Sequence, residues 1–140
     1  MKIQICGSMT FAREMKDTQG KLEKMGYLVT IPTDTESHIA DPNFADDLGS
    51  NLGHCIEEDV IRANFNLIAK ADAILVLNYP KNDINGYIGT STLMEIGIAH
   101  FLEKKIFILN DIPDFNDVRW AHEVTIMQPV ILKGDLTRID

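Results

Sequence analysis

The stretch IEEDVIRANFNLIAKADAILVL, residues 56–77, changes its period midway. Up to Ala71 the apolar residues Val60, Ile61, Leu67, Ile68 and Ala71 fall at helical spacing. After Asp72 the run Ala73–Leu77 is continuously apolar, as expected of a strand buried on both faces. Read outward from there, the same alternation recurs. Short apolar runs at Ile3–Cys6, Tyr27–Ile31, Ile106–Leu109 and Val130–Leu132 read as four more strands. Helical patterns separate them at Phe11–Met25, Ile56–Ala71 and Leu93–Leu102, with another around Val118–Val124. Phe11, Met15, Leu22 and Met25 form the apolar stripe of the first helix, and Gly26 is its stop signal. Strands that alternate with helices predict right-handed crossovers and an open parallel α/β sheet.

In such a sheet ligands bind outside the carboxyl ends of the strands. Four segments are placed there: Gly7–Phe11, Pro32–Glu36, Asn78–Thr92 and Asn110–Asp114. The polar stretch Thr33–Gly53 is long for a loop, so it is a lid or hides a short helix. Its Asp41, Asp46 and Asp47 read as a solvated acidic loop, not as a metal site.

The chain has 140 residues, which fits one domain spanning 1–140. Its formal net charge of −8 lacks the basic footprint that bulk nucleic acid or an anionic membrane surface needs. A small anion can still bind backbone N–H groups at a helix start. Cys6 and Cys55 are the only cysteines, too few for a disulfide framework. The amino-terminal MKIQICGSMTF reads as a first strand, with no long apolar region of a signal peptide. The expectation is a soluble protein of a reducing cytoplasm.

Several residues are candidates for chemistry. Cys6-Gly7-Ser8 ends the first strand, where Gly7 lets the backbone approach a ligand. Ser8 and the N–H groups after it can hold a phosphate or a sugar hydroxyl; equally, Ser8 or Thr10 can cap the next helix. G-x-G-x-x-G and the P-loop pattern are both absent, which disfavours dinucleotide and P-loop chemistry. Asn64 interrupts the apolar stripe of its helix, as a core amide or as one aimed at a ligand. Asp59, Arg62, Asn66 and Lys70 lie on the opposite face. Gly89-Thr90-Ser91-Thr92 leads into a helix, with Glu95 in what reads as its first turn. Thr92-x-x-Glu95 fits a capping box, which would explain Glu95 structurally. A carboxylate at the ligand edge of the sheet could instead attack a sugar carbon. His38, His54, His100 and His122 are scattered without metal-ligand spacing, and no metal or cofactor is expected. Trp120 and Met127 read as packing residues.

Four of these features together resemble the nucleoside 2-deoxyribosyltransferase family and its deoxynucleoside monophosphate N-glycosidase relatives. They are Ile5-Cys6-Gly7-Ser8, the junction Leu67–Val76, Gly89-Thr90 followed by Glu95-Ile96-Gly97 and Ala99, and the run Lys104–Leu109. The resemblance covers roughly residues 2–110. It implies a flavodoxin-like sheet of order 2-1-3-4-5 and a homodimer or higher homo-oligomer. It also implies that Glu95 attacks C1′ of a 2-deoxyribosyl group, giving a glycosyl-enzyme that water or a second base resolves. Substrate would be held by Cys6, Gly7, Ser8, Met9, Asn78, Gly89, Thr90 and Ser91, with Asn64 orienting it. The substrate would be a small nucleoside or nucleotide. Two positions depart from the pattern. The family's usual Asp, eight residues before Asp72, is replaced by Asn64, and an amide cannot donate a carboxyl proton. The first-loop Arg of the monophosphate-cleaving relatives is Thr10 here, with Arg13 a turn away. The Asn at position 64 also fits an alternative, a catalytically silent nucleotide-binding module on the same fold. A third class, another small-molecule enzyme of flavodoxin-like fold, lacks a flavin or aspartyl-phosphate signature.

Overall fold

The computed structural model describes all residues from Met1 to Asp140. Strands β1 (Lys2–Gly7), β2 (Leu28–Thr30), β3 (Ala73–Leu77), β4 (Lys105–Ile108) and β5 (Val130–Ile131) form one parallel sheet. Its order is β2-β1-β3-β4-β5: the open parallel α/β sheet that the alternation of elements predicted, in the flavodoxin-like order that the resemblance implied. The helices are α1 (Ala12–Lys24), α2 (Thr35–Ala40), α3 (Leu48–Glu57), α4 (Val60–Ala69), α5 (Thr90–Phe101) and α6 (Trp120–Ile126). None is long and apolar enough to cross a membrane.

The pleat of the strands sorts the core into two layers. Ile3, Ile5, Leu75, Leu77 and Phe107 point to one face, where Met15 and Leu22 of α1 cover them. Cys6, Ile74, Val76, Ile106 and Ile108 point to the other, under Ile68 of α4 and Ile96 and Ala99 of α5. Trp120 and Met127 pack against this second layer, as expected of packing residues. Both faces of β3 are therefore closed, and all five of its residues are buried. Asp72 fixes where β3 begins: its carboxylate accepts from Lys2 N–H at 2.7 Å, and its own N–H donates to Lys2 O at 2.8 Å.

The structure corrects three details of the sequence reading. The helix expected over Ile56–Ala71 is two helices, α3 and α4, broken at Glu58–Asp59. Asp59 adopts the left-handed conformation, with φ of 45°, which a short polar residue tolerates where the chain must turn. Ile61, expected to face inward, stands beyond that break and is exposed. The stretch Thr33–Gly53 holds α2 and the first residues of α3, so it hides helix in two places. Within it, Asp47 caps α3 by accepting from Ser50 N–H.

Gly86 sits in the loop between β3 and α5 at φ of 75°, and a Cβ there would overlap the carbonyl oxygen of Asp111. Gly20 lies inside α1 with open space where its Cβ would be. Gly86→Ala should therefore lower stability by more than about 1 kcal/mol, whereas Gly20→Ala should raise it by about 0.5–1 kcal/mol. Urea midpoints of the two variants against the parent chain check both signs, and a neutral Gly86→Ala would contradict the close approach.

Candidate functional site

The chain passes from β1 to β2 on one side of the sheet and reaches β3 on the other. The loops therefore diverge at the carboxyl ends of β1 and β3, and a crevice opens between them. A cavity of about 310 Å³ lies there. Gly7, Ser8 and Met9 line it from the end of β1, and Gly89, Thr90 and Ser91 from the start of α5. Asn64 and Glu95 line it together, from α4 and α5.

Glu95 is the sixth residue of α5, because the helix begins at Thr90 and not at Leu93. Gly89 occupies the capping position and has no side chain to offer, while Thr92 lies inside the helix, buried in the cavity wall. The capping-box explanation of Glu95 is thereby removed. Only 8% of Glu95 is exposed, and this burial pushes its pKa up from 4.5 to about 7. The nearby Cys6 thiol pulls in the opposite direction, and the charge of Asp34 adds to the rise. Cys6 itself is sealed beneath the cavity, where burial first and then the Glu95 charge raise its pKa well above the ordinary thiol value.

Asn64 is 8% exposed, and its Oδ1 accepts the N–H of Thr33 at 3.3 Å. This bond commits the oxygen and turns Asn64 into an amide donor for the cavity. Ser8 acts as the cap, its Oγ accepting from Thr10 N–H at 3.4 Å, and it also lines the cavity. Asn78 stands apart from the rest. It is wholly buried, donates to Asn110 O at 2.9 Å and accepts from Asn110 N–H at 2.8 Å. Its amide thus clamps the loops after β3 and β4 to each other and lies outside the cavity lining.

Two groups of cavity residues escaped the sequence reading. Lys81 bonds to Ser8 Oγ at 3.2 Å, Thr10 Oγ1 at 2.8 Å and Asp46 Oδ1 at 2.9 Å, with its ammonium 5.5 Å from the centre of the Tyr87 ring. It is the one basic residue between Asn78 and Thr92, a segment already placed at the ligand edge, and that was a usable signal. His38 comes from α2 and pairs with Asp34 one turn earlier, Nε2 to Oδ2 at 3.0 Å. Its helical spacing from Asp34, directly after β2, was likewise visible.

No family model matches the sequence, and no curated protein matches it. Among solved structures the chain is similar to the CMP N-glycosidase BcmB of Clostridium botulinum. The two share 15% identity at a TM-score of 0.50, over 95% of this chain and 89% of that one. At that identity the likeness is one of fold.

Holding Glu95 in this setting has a consequence for stability. The native protein keeps the Glu95 proton up to about pH 7, whereas the unfolded chain releases it near 4.5. Between those values the native state binds more protons, so this group's contribution to stability falls as pH rises through the window. The shift corresponds to about 3 kcal/mol as an upper figure. Glu95→Gln should be more stable than the parent at pH 8 by about 1–3 kcal/mol, with the difference shrinking toward pH 4.5. Urea unfolding of both proteins at pH 4.5, 6 and 8 measures this, and a pH-independent difference would show that the carboxylate is well solvated.

Proposed function

We propose that the protein breaks the N-glycosidic bond of a nucleoside or nucleotide, with the Glu95 carboxylate as nucleophile at C1′. The observation that carries this reading is the sharing of one cavity by Glu95, Asn64 and the turns Gly7–Met9 and Gly89–Ser91. Apart from Asn64, which stands where the family has Asp, it is the combination that the resemblance to the 2-deoxyribosyltransferase family implies. Glu95 supplies the carboxylate of a retaining mechanism, stabilising an oxocarbenium-like transition state covalently. A half-titrated carboxylate near pH 7 can act as nucleophile and be regenerated without a large energetic penalty. Thr90, Ser91 and Thr92 carry the N–H groups at the start of α5, which donate to no carbonyl of the preceding chain. These donors suit a sugar hydroxyl or a phosphate. Asn64 donates to the base or the sugar and holds it over Glu95.

Lys81 takes the place of the first-loop Arg as the cation nearest Ser8 and Thr10. It is largely enclosed, while its partner Asp46 is open to solvent and able to swing away. In this reading Lys81 meets the phosphate of a nucleoside monophosphate. BcmB is named as acting on CMP, so ribonucleotides belong beside the 2-deoxy compounds among candidate substrates. A 2-hydroxyl withdraws electrons from C1′, so the 2-deoxy substrates should react faster if both bind.

The test is base release from purine and pyrimidine nucleosides and their 5′-monophosphates, ribo and 2-deoxy, followed by chromatography. Glu95→Ala should lose activity by about 10³-fold or more while still binding the substrate, since the carboxylate acts mainly on the transition state. Release that survives in Glu95→Ala would refute the nucleophile. Binding of nucleotides by the parent chain with no release from any substrate would favour a silent binding module, the reading that Asn64 supports.

A second measurement isolates Lys81. Lys81→Met should raise KM for monophosphates by about 10–100-fold and leave the nucleosides nearly unchanged, the loss expected of one charged hydrogen bond. An equal effect on both would remove Lys81 from the phosphate.

A further inference from the structure

Asn64 leaves the proposed reaction without a carboxylic acid to protonate the departing base. A different proton carrier stands on the same cavity. His38 is 6% exposed and lines the cavity beside Glu95, and its Nε2 lies 3.0 Å from Asp34 Oδ2. Its other ring nitrogen, Nδ1, is buried and has no hydrogen-bond partner in the protein. Asp34 is 8% exposed, and its Oδ1 is also buried and unpartnered. The His54 Nε2 completes the group at 3.9 Å from Asp34 Oδ2, too far for a hydrogen bond and likewise without a partner.

Such a cluster is unusual. Buried polar atoms are nearly always paired, and each one left open costs about 1–3 kcal/mol. The surroundings hold it in place all the same. Thr35 Oγ1 donates to Pro32 O at 2.6 Å, and Thr33 N–H donates to Asn64. The Phe44 ring packs against His38 at 5.3 Å and His54 at 5.5 Å between centroids. The side chains do not converge as a metal-binding set. A carboxylate that fixes one nitrogen of an imidazole and leaves the other open is the arrangement used to move protons.

We propose that His38, oriented by Asp34, is the catalytic acid and base of this site, a proposal that rests on the glycosidic reading above. In the first step a Glu95 oxygen bonds to C1′ as the C1′–N bond breaks. The electron pair of that bond goes to the base, which takes the proton from His38 Nδ1. His38 is left neutral, with Nε2–H donated to Asp34. In the second step water attacks C1′ and gives a proton to His38 Nδ1. The bond from C1′ to Glu95 breaks, and its electron pair returns to the carboxylate. The sum is nucleotide plus water giving sugar phosphate plus base, with His38 and Glu95 restored. Asp34 touches no reacting atom and is a positioning residue.

The experiment compares two leaving groups on one sugar. A nucleotide base must be protonated as it departs, whereas 4-nitrophenolate leaves unaided. The parent chain, His38→Gln and Asp34→Asn are assayed on the best nucleotide substrate and on the 4-nitrophenyl glycoside of the same sugar phosphate. In His38→Gln, kcat on the nucleotide should fall by about 10²–10⁴-fold, and kcat on the aryl glycoside by less than about tenfold. Asp34→Asn should shift the ratio of the two rates in the same direction. That ratio, taken within one preparation, does not depend on how much of a variant is folded. Equal losses on both substrates would assign His38 a structural role and overturn the proposal. An unchanged rate on the nucleotide would overturn it too, while leaving Glu95 in place. A parent chain that cleaves neither substrate would overturn this proposal together with the glycosidic reading.

Discussion

Where β1 ends, Gly7 pairs with Leu77 of β3 so closely that a Cβ would lie 2.9 Å from the Leu77 carbonyl oxygen. No other residue type fits without moving one of the two strands. This contact keeps β1 in register through Cys6, whose side chain points to the layer covered by α5. The Cys6 thiol is thereby placed near Glu95, close enough that each acts on the other's pKa. Depth in the sheet, the identity of the residue at position 7 and the state of the carboxylate are thus linked. Loosening the β1–β3 contact would admit water beneath Glu95 and return it toward an ordinary surface acid.

The electrostatics of the cavity follow from which charges are buried. The chain carries a net charge of −8, and two of its carboxylates, Glu95 and Asp34, are nearly closed to solvent in one region. The Asp34 charge raises the cost of ionising Glu95. The histidine of α2 faces Asp34, and Lys81 stands beside Ser8 and Thr10. The cavity therefore carries a cation beside Ser8 and an imidazole–carboxylate pair at α2.

Most of the fold was legible in the sequence because its signals are local. Ala73–Leu77 reads as a strand buried on both faces, and the structure gives it those bounds and that burial. Gly26 stops α1, and its φ of 95° is the left-handed stop expected there. The break at Asp59 was not legible, since Val60 to Ala71 continues one periodicity and a single left-handed residue leaves no mark on it. Of the site, Asn64 was visible as a polar residue inside an apolar stripe, and Glu95 as a carboxylate at the ligand edge of the sheet. Asn78 was over-read, because position after a strand does not reveal that its amide is consumed by Asn110. His38 and Lys81 were missed for a different reason: their meaning lies in partners far along the chain, or in what they lack. An unpartnered Nδ1 has no sequence signature at all.

The segment from Thr33 to Asp59 shows how such partners are supplied. It leaves the sheet after β2 and contributes six residues to the cavity lining, His38, Ala45, Asp46, Leu48, Asn51 and Cys55, before α4 begins. Its helices have little core of their own: α3 has no fully buried residue, and Leu48, Leu52 and Ile56 are exposed. What fixes the segment is polar and close to the site. Asp34 meets His38, Thr33 meets Asn64, Asn51 donates to Phe44 O, and Asp46 meets Lys81. A segment held by few apolar contacts opens at low free-energy cost. A segment that also carries cavity residues ties that opening to whatever fills the cavity. The sheet can then stay rigid and hold Glu95 over Cys6, while the residues that meet the rest of the ligand ride on the part of the chain that moves most easily.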